Sequence, residues 1–296
     1  MADAFLVTGA LGCLGAWTCK LLVDEGTPVV SYDLGDDPYR LREIMSEDAL
    51  EHVTFARGDV TDGNELERVM AEHGVTHIVH LAALQVPFCK ADPPLGARVN
   101  VLGTVAVFEA AKRHGLATTI AYASSAAVYD AAGELRPATL YGVYKLANEG
   151  SARLYWADSG VASIGLRPYC VYGPGRDQGL TADPTHAMRA AASGKPYRIG
   201  FGGRTELHYA PDVAAAFLLA ARRPGEGAAV YDMPGAPIHM RDVLSAIDAV
   251  SPSAEIDFED VALPFPEELP GERFDAPPVT PLADGVRQTI EHFRAA

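Results

Sequence analysis

Long hydrophobic runs are missing from this 296-residue chain. No apolar segment approaches the roughly 20 residues that a membrane-spanning helix needs, so no membrane association of that kind is expected. Basic residues are scarce: 24 Lys and Arg stand against 39 Asp and Glu, a formal net charge of −15. That balance opposes nucleic acid and anionic membranes as partners. Cysteine is sparse and scattered, at Cys13, Cys19, Cys89 and Cys170, with no Cys-x2-Cys pair. Reduced thiols in a cytoplasmic protein are the expectation. The chain enters its first apolar run almost at once, so no signal peptide is expected. His73, His77 and His80 suggest no metal site, because His77 and His80 differ by an odd number on one strand and face opposite sides. No internal repeat and no low-complexity linker is visible.

What is present begins with glycine. Ala4 to Val7 reads as a short buried strand, Thr8 to Gly15 as a turn, and Ala16 to Asp24 as a helix. Gly9 permits the tight turn, Gly12 lets backbone approach a pyrophosphate, and Gly15 lets the helix pack close to the strand. The pyrophosphate would rest on free N–H groups at the helix N-terminus, where the dipole favours negative charge. The spacing is Gly-x2-Gly-x2-Gly, not Gly-x-Gly-x2-Gly. The next strand, Pro28 to Tyr32, ends at Asp33. An acidic residue about 20 residues past such a loop accepts hydrogen bonds from an adenosine ribose. Asp36 and Asp37 follow, and no Arg or Lys stands nearby before Arg40. A 2′-phosphate would be repelled there, which points to NAD rather than NADP.

Strands at 53–57 and 77–81 alternate with helical stretches at 64–73 and 100–113. That alternation predicts an α/β fold, a Rossmann-type doubly wound parallel sheet. Ligands of such sheets bind at the carboxyl ends of the strands, where Asp33, Asp59, Ala82 and Ser124 fall. Pro and Gly cluster at 173–203 and 261–281, interleaved with helices near 184–193 and 211–222. The expected division is an NAD-binding domain over 1–166 and a smaller, interleaved C-terminal substrate domain over 167–296. Tyr141 and Lys145 are four apart on a predicted helix and share one face. A free tyrosine titrates near 10, about three units too high for a base at neutral pH. A neighbouring ammonium and a positive nicotinamide ring both favour the phenolate and lower that value. Ser125, just past a strand, can hydrogen-bond a substrate hydroxyl and the carbonyl that replaces it.

The segments TGALGCLG (8–15), GDVTD (58–62), HLAA (80–83), NVLGT (100–104), SSAAVY (124–129), YGVYK (141–145) and RPYCVYGPG (167–175) occur in an order that resembles the extended short-chain dehydrogenase/reductases. More narrowly, they resemble the NAD-dependent epimerase/dehydratase family, with a likeness to its nucleotide-sugar 4-epimerases. The likeness covers residues 5 to about 215, and 282–290 resembles the family's last helix. The resemblance implies that Gly9, Gly12, Cys13, Leu14 and Gly15 line the pyrophosphate of NAD. It implies Asp33 at the ribose, Asp59 and Val60 at the adenine, and Leu81, Ala82 and Ala83 beneath the second ribose. Asn100, Ser124 and Tyr169 are further cofactor-side candidates. Ser125, Tyr141 and Lys145 would carry the chemistry, with Lys145 also holding the nicotinamide ribose.

Gln85, Arg176 and Arg204 are candidates toward substrate, and Arg273 is a further cation that can hold an anion. Ala126 and Ala127 stand where the family's 4,6-dehydratases carry an Asp-Glu pair, which leaves epimerisation or simple oxidation. Cys170 replaces the Asn usual in nucleotide-sugar members, and Thr205, beside Arg204, aligns with a frequent Arg. The interval from Ser125 to Tyr141 is short, so the loop over the substrate is reduced. The expected activity is NAD-dependent oxidoreduction at a secondary hydroxyl of a sugar or nucleotide sugar, epimerase-like through a transient ketone. A dehydrogenase of a small sugar, sugar acid or hydroxy compound is the alternative, and a non-catalytic NAD sensor a third reading. The resemblance also implies a homodimer through the helices near 100–113 and 141–157, with Val101, Val105, Phe108, Leu154 and Tyr155 as candidate contacts.

Overall fold

Short apolar runs such as Phe5-Leu6-Val7, Val29-Val30 and Ile78-Val79 suit strands covered on both faces, as parallel sheets are. The computed structural model describes residues 3–276 and 279–295, and there these runs do form the centre of a sheet. In chain order the strands are β1 Phe5–Thr8, β2 Val29–Asp33, β3 Val53–Arg57, β4 His77–His80, β5 Ile120–Ala123 and β6 Ser163–Arg167. There follow β7 Cys170–Tyr172, β8 Tyr197–Ile199, β9 Arg204–Tyr209, β10 Ala228–Asp232, β11 Pro237–His239 and β12 Ile256–Phe258. Seven of them make a parallel sheet in the order β10-β6-β5-β4-β1-β2-β3. The chain leaves β1 toward β2 on one side and returns to β4 on the other, so a crevice opens between the carboxyl ends of β1 and β4.

One face of the sheet packs on the helices Cys13–Asp24 and Ala210–Ala221, the other on Gly63–Glu72 and Gly103–His114. A separate apolar core lies under the small sheets β11-β9-β7 and β12-β8. The stretch 167–296 therefore divides between two regions. Ala210–Ala221 reads APDVAAAFLLAA, apolar but for Asp212, and such a helix buries most of its surface. It packs Ala210, Val213 and Phe217 against Phe5, Val7 and Cys19, and β10 closes the edge of the large sheet beside β6.

Two helix starts differ from expectation. The first helix begins at Cys13, three residues early, so Cys13, Leu14 and Gly15 form its first turn. The 100–113 helix opens with a π-helical turn, Arg98–Leu102, before regular α-helix at Gly103–His114. That widened turn carries Asn100, and π-bulges often mark functional positions. His77 and His80 do face opposite sides. His77 stacks on the Phe5 ring at 4.6 Å between centroids. His80 is held between Thr8 Oγ1 at 2.7 Å and Thr104 Oγ1 at 3.0 Å. Burial, with Lys145 nearby, pushes the His80 pKa down to about 3. No described helix is long and apolar enough to cross a membrane.

Candidate active site

The glycine turn packs so tightly that side chains have no room. Gly9 sits in the left-handed region at φ 69°, and a Cβ there would lie 2.6 Å from the Ala82 nitrogen. A Cβ on Gly15 would lie 2.2 Å from the Gly9 carbonyl oxygen, so helix and turn touch backbone to backbone. Gly12 caps the Cys13–Asp24 helix without any side-chain acceptor. Its first-turn N–H groups are left for an anion, the arrangement a pyrophosphate needs.

Asp33 ends β2 beside this turn. Its carboxylate accepts from Leu11 N at 3.0 Å and from Gly35 N at 3.0 Å. Arg40, the first basic residue after it, is engaged elsewhere. It grips Asp177 through Nε at 3.0 Å and Nη2 at 2.7 Å and donates Nη1 to the Leu11 carbonyl at 2.9 Å. The corner thus presents a carboxylate, with Arg40 beside it already paired to Asp177.

From Asp33 a cleft of about 640 Å³ runs along the carboxyl ends of the strands to Tyr141. Gly9, Gly12, Cys13, Leu14, Gly15, Asp33, Asp59, Val60, Leu81, Ala82, Ala83, Ser124 and Tyr169 all line it, as do Gln85 and Arg176. Asn100 does not. It is fully buried, and its amide clamps the Leu84 backbone, accepting from N at 2.7 Å and donating to O at 2.9 Å. Its own carbonyl accepts from Asn148 at 2.8 Å. Asn100 therefore shapes the loop after β4 rather than meeting a ligand.

The two serines after β5 part company. Ser124 is buried and donates to Glu149. Ser125 caps the short turn Ala126–Val128, accepting from Ala127 N at 3.1 Å, and its hydroxyl favours the ionised form of Tyr141. Tyr141 and Lys145 lie on one face of the helix Leu140–Ser159, which Thr139 caps through Gly142 N. Lys145 is buried and donates to the Ala123 carbonyl at 2.7 Å, and its Nζ lies 5.6 Å from the Tyr141 ring centre. Burial pulls the Lys145 pKa down to about 8, so the group is still mainly an ammonium at neutral pH.

The Tyr141 pKa does not follow the expectation. Burial pushes it up to about 12, outweighing the Ser125 hydroxyl and the field of Arg176. The phenol is thus protonated in the protein alone, because desolvation of a phenolate costs more than these neighbours return. Positive charge brought in by a bound nicotinamide would act in the lowering direction.

Behind the cleft wall lies a charge network that motif reading did not find. Arg167, at the end of β6, forks onto Glu149 with both contacts at 2.7 Å and reaches Asp232 of β10 at 3.3 Å. Tyr129 joins Arg167 and Asp232, and Asp232 also accepts from Gly271 N. One signal was legible: Glu149 falls four residues after Lys145 and eight after Tyr141, on the same helical face. A second cluster centres on Glu206 of β9. Burial favours its neutral form, but His208, the Arg273 fork at 2.7 Å and Leu269 N outweigh that and hold its pKa near about 2. Arg273 is therefore neutralised within the protein.

Arg204 lies outside the cleft. It sits at the exposed end of β9, donating to the Pro237 carbonyl at 3.1 Å with Glu267 at 3.8 Å. The strand's alternation turns Thr205 inward and Arg204 to solvent. Cys170 is fully buried, its thiol against the Thr181 carbonyl at 3.5 Å.

A family model described as the NAD dependent epimerase/dehydratase family matches residues 5–233. A UDP-glucose 4-epimerase of Mycolicibacterium smegmatis is 29% identical over 312 aligned positions, covering 98% of each chain. UDP-glucuronate 4-epimerase 6 of Arabidopsis thaliana is 33% identical over 184 positions, 57% of this chain but 40% of that longer protein. Among solved structures, the Thermus thermophilus UDP-glucose 4-epimerase complex with NAD superposes with a TM-score of 0.75 at 26% identity over 99% of both chains. The L-threonine dehydrogenase of Clostridium difficile superposes at 0.87 with 19% identity, covering 99% of this chain and 98% of that one, and shows the fold. A glycine turn, an acid-ended second strand, a Ser-Tyr-Lys set on one cleft and a family match over most of its length agree: the chain belongs to the NAD-dependent epimerase/dehydratase family of extended short-chain dehydrogenase/reductases.

Proposed function

We propose that the protein is an NAD-dependent oxidoreductase acting on a secondary hydroxyl of a sugar or sugar-like substrate, epimerase-like in its chemistry. The observation that carries this is the single continuous cleft with a dinucleotide cradle at one end and Ser125, Tyr141 and Lys145 at the other. Bound NAD would supply the hydride acceptor. Tyr141, as the phenolate that the positive nicotinamide would favour, takes the hydroxyl proton on its phenolic oxygen, and Ser125 holds the same substrate oxygen as it becomes a carbonyl. Lys145 keeps a positive charge beside the phenol and is placed to hold a ribose hydroxyl. Epimerisation asks Tyr141 to return the proton after the ketone has turned over, whereas a dehydrogenase lets the ketone leave.

The Mycolicibacterium relative, an epimerase similar over nearly the whole chain, supports epimerisation of a nucleotide sugar. A second reading, dehydrogenation of a small non-nucleotide compound, is favoured by Arg204 facing solvent and Arg273 being tied to Glu206. A metabolite screen followed at 340 nm separates the two. Net NADH release identifies a dehydrogenase, isomerised product without net NADH an epimerase, and neither with any sugar, nucleotide sugar or hydroxy acid overturns both.

The enzyme we envisage is a cytoplasmic homodimer. The helix Leu140–Ser159 exposes Leu140, Val143, Ala147 and Leu154 along one stripe, opposite the face that buries Lys145, Asn148 and Ala152. Leu95 and Leu102 add exposed apolar surface beside it. Phe108 is not available for such contact: it is fully buried against Tyr122, and Tyr155 packs on it. Light scattering at micromolar concentration tests the dimer, and a stable monomer would refute it.

A further inference from the structure

Among the described residues, two cations of the cleft, Lys145 and Arg176, have no carboxylate partner, and of these Lys145 donates to the Ala123 carbonyl at 2.7 Å. The Arg176 guanidinium makes one side-chain hydrogen bond among the described residues, Nη2 to Thr181 Oγ1 at 3.2 Å, and its Nε is buried without any partner. The other charged neighbours are all engaged. Arg40 is gripped by Asp177, and Lys145 donates to Ala123. Asp177, next to Arg176 in sequence, is turned to Tyr39 at 2.6 Å and to Arg40. A chain with a net charge of −15 has carboxylates in plenty, yet none of the described ones pairs with Arg176. A guanidinium whose Nε–H is buried and unmet is unfavourable unless something arrives to meet it.

The surroundings are shaped for that arrival. Gly179 takes φ +100°, and a Cβ there would lie 1.9 Å from Gln85 Oε1 and 3.2 Å from Arg176 Nη2. The absent side chain lets the ends of Gln85 and Arg176 lie together over one backbone position. Arg176 lines the same cleft as Tyr141, and its charge favours the ionised phenol. The charge therefore faces the cleft in which a substrate hydroxyl would react. Where the family's nucleotide-sugar members present polar or cationic side chains, this chain has buried Cys170 and Thr205, with Arg204 outside.

We propose that Arg176, with Thr181 and Gln85, receives a carboxylate carried by the substrate a few bonds from the reacting carbinol, so that the substrate is a small sugar acid or hydroxy acid without a nucleotide. A guanidinium fork pairs with two oxygens of a carboxylate or of a phosphate alike, but one cation balances the single charge of a carboxylate and not the double charge of a phosphate monoester. This assignment rests on the reading of Tyr141 as the base only for where the hydroxyl lies.

The test uses calorimetry on the NAD-saturated protein. D-glucuronate, D-galacturonate and D-gluconate are compared with D-glucose, D-galactose and UDP-glucose, in the wild type and in Arg176→Gln. At least one acid should bind about tenfold or more tightly than the neutral sugars, as a charge-assisted hydrogen bond requires. That advantage should vanish in Arg176→Gln, persist in part in Arg176→Lys, and leave NAD affinity nearly unchanged. Acids that bind no better than neutral sugars overturn the proposal. So does UDP-glucose binding that Arg176→Gln leaves intact. A tenfold loss of NAD affinity in Arg176→Gln with acid preference retained also overturns it, and gives Arg176 to the cofactor's pyrophosphate. Binding needs no proton transfer, so failure of Tyr141 as the base would leave these affinities untouched and show only in turnover.

Discussion

The two ends of the cleft are built from different material. The glycine end is held by backbone: Gly9 against Ala82, Gly15 against Gly9, and Asp33 on two N–H groups of neighbouring turns. The Tyr141 end is held by buried charge, with Glu149, Arg167 and Asp232 in one network and Glu206 with Arg273 in another. The first end is written within residues 9–33 and closes on the loop after β4. The second draws on residues from 124 to 273. The end that recognises a constant ligand can be encoded locally, while the end that selects a substrate depends on contacts between distant parts of the chain.

Tyr141→Phe separates the ends most sharply. Turnover on the true substrate should fall by roughly 10²–10⁴-fold, while calorimetric NAD affinity stays nearly unchanged. Unaltered turnover would remove Tyr141 from the chemistry.

Arg167→Met attacks the charged scaffold itself. It leaves Glu149 and Asp232 buried without their cation, and breaking such a pair costs about 3–5 kcal/mol. Urea unfolding should show this, with substrate turnover impaired in the protein that remains folded. A loss under about 1 kcal/mol would mean the substrate end does not depend on this network, since only surface pairs are worth so little.

Asp33→Ala probes the backbone end. NAD should bind about tenfold more weakly, the loss of one charge-assisted hydrogen bond, and NADP should lose less. Equal effects on both cofactors would deny Asp33 a part in their discrimination.

The most gradual expected effect is a slope with pH. His80 is buried neutral with its pKa lowered from 6.5 to about 3. Below pH 6.5 the unfolded chain gains a proton that the folded chain refuses until about pH 3. Stability should therefore fall as pH drops through that window, by at most about 1.4 kcal/mol per pH unit from this residue. Unfolding titrations of His80→Gln should show a shallower acid slope than the wild type, and identical slopes would place the acid sensitivity elsewhere.

Much of the large sheet was legible because its requirements are local. Apolar runs, an acid after the second strand and three glycines each state a backbone need within a few residues. The shared face of Tyr141 and Lys145 was legible through helical spacing, and their role through their place after the strand that ends at Ser124 and Ser125 and through the family resemblance. The misplacements came where a neighbour distant in sequence decides. Arg204 and Thr205 are adjacent in sequence, and only the pairing of β9 determines which faces inward. Phe108 and Leu154 are both apolar on helices, and only packing on Tyr122 sends one to the core and leaves the other exposed.

By itself, then, the sequence determined the Rossmann sheet, the glycine turn, the acid at Asp33 and the shared face of Tyr141 and Lys145, because each follows from backbone geometry over one or two turns of chain. Tertiary structure alone decided the protonation state of Tyr141, the role of Asn100 as a clamp on Leu84, and which arginines are neutralised. Those outcomes depend on burial and on the distance to charges far along the chain. Arg167 and Arg273 meet carboxylates there, and Arg176 does not.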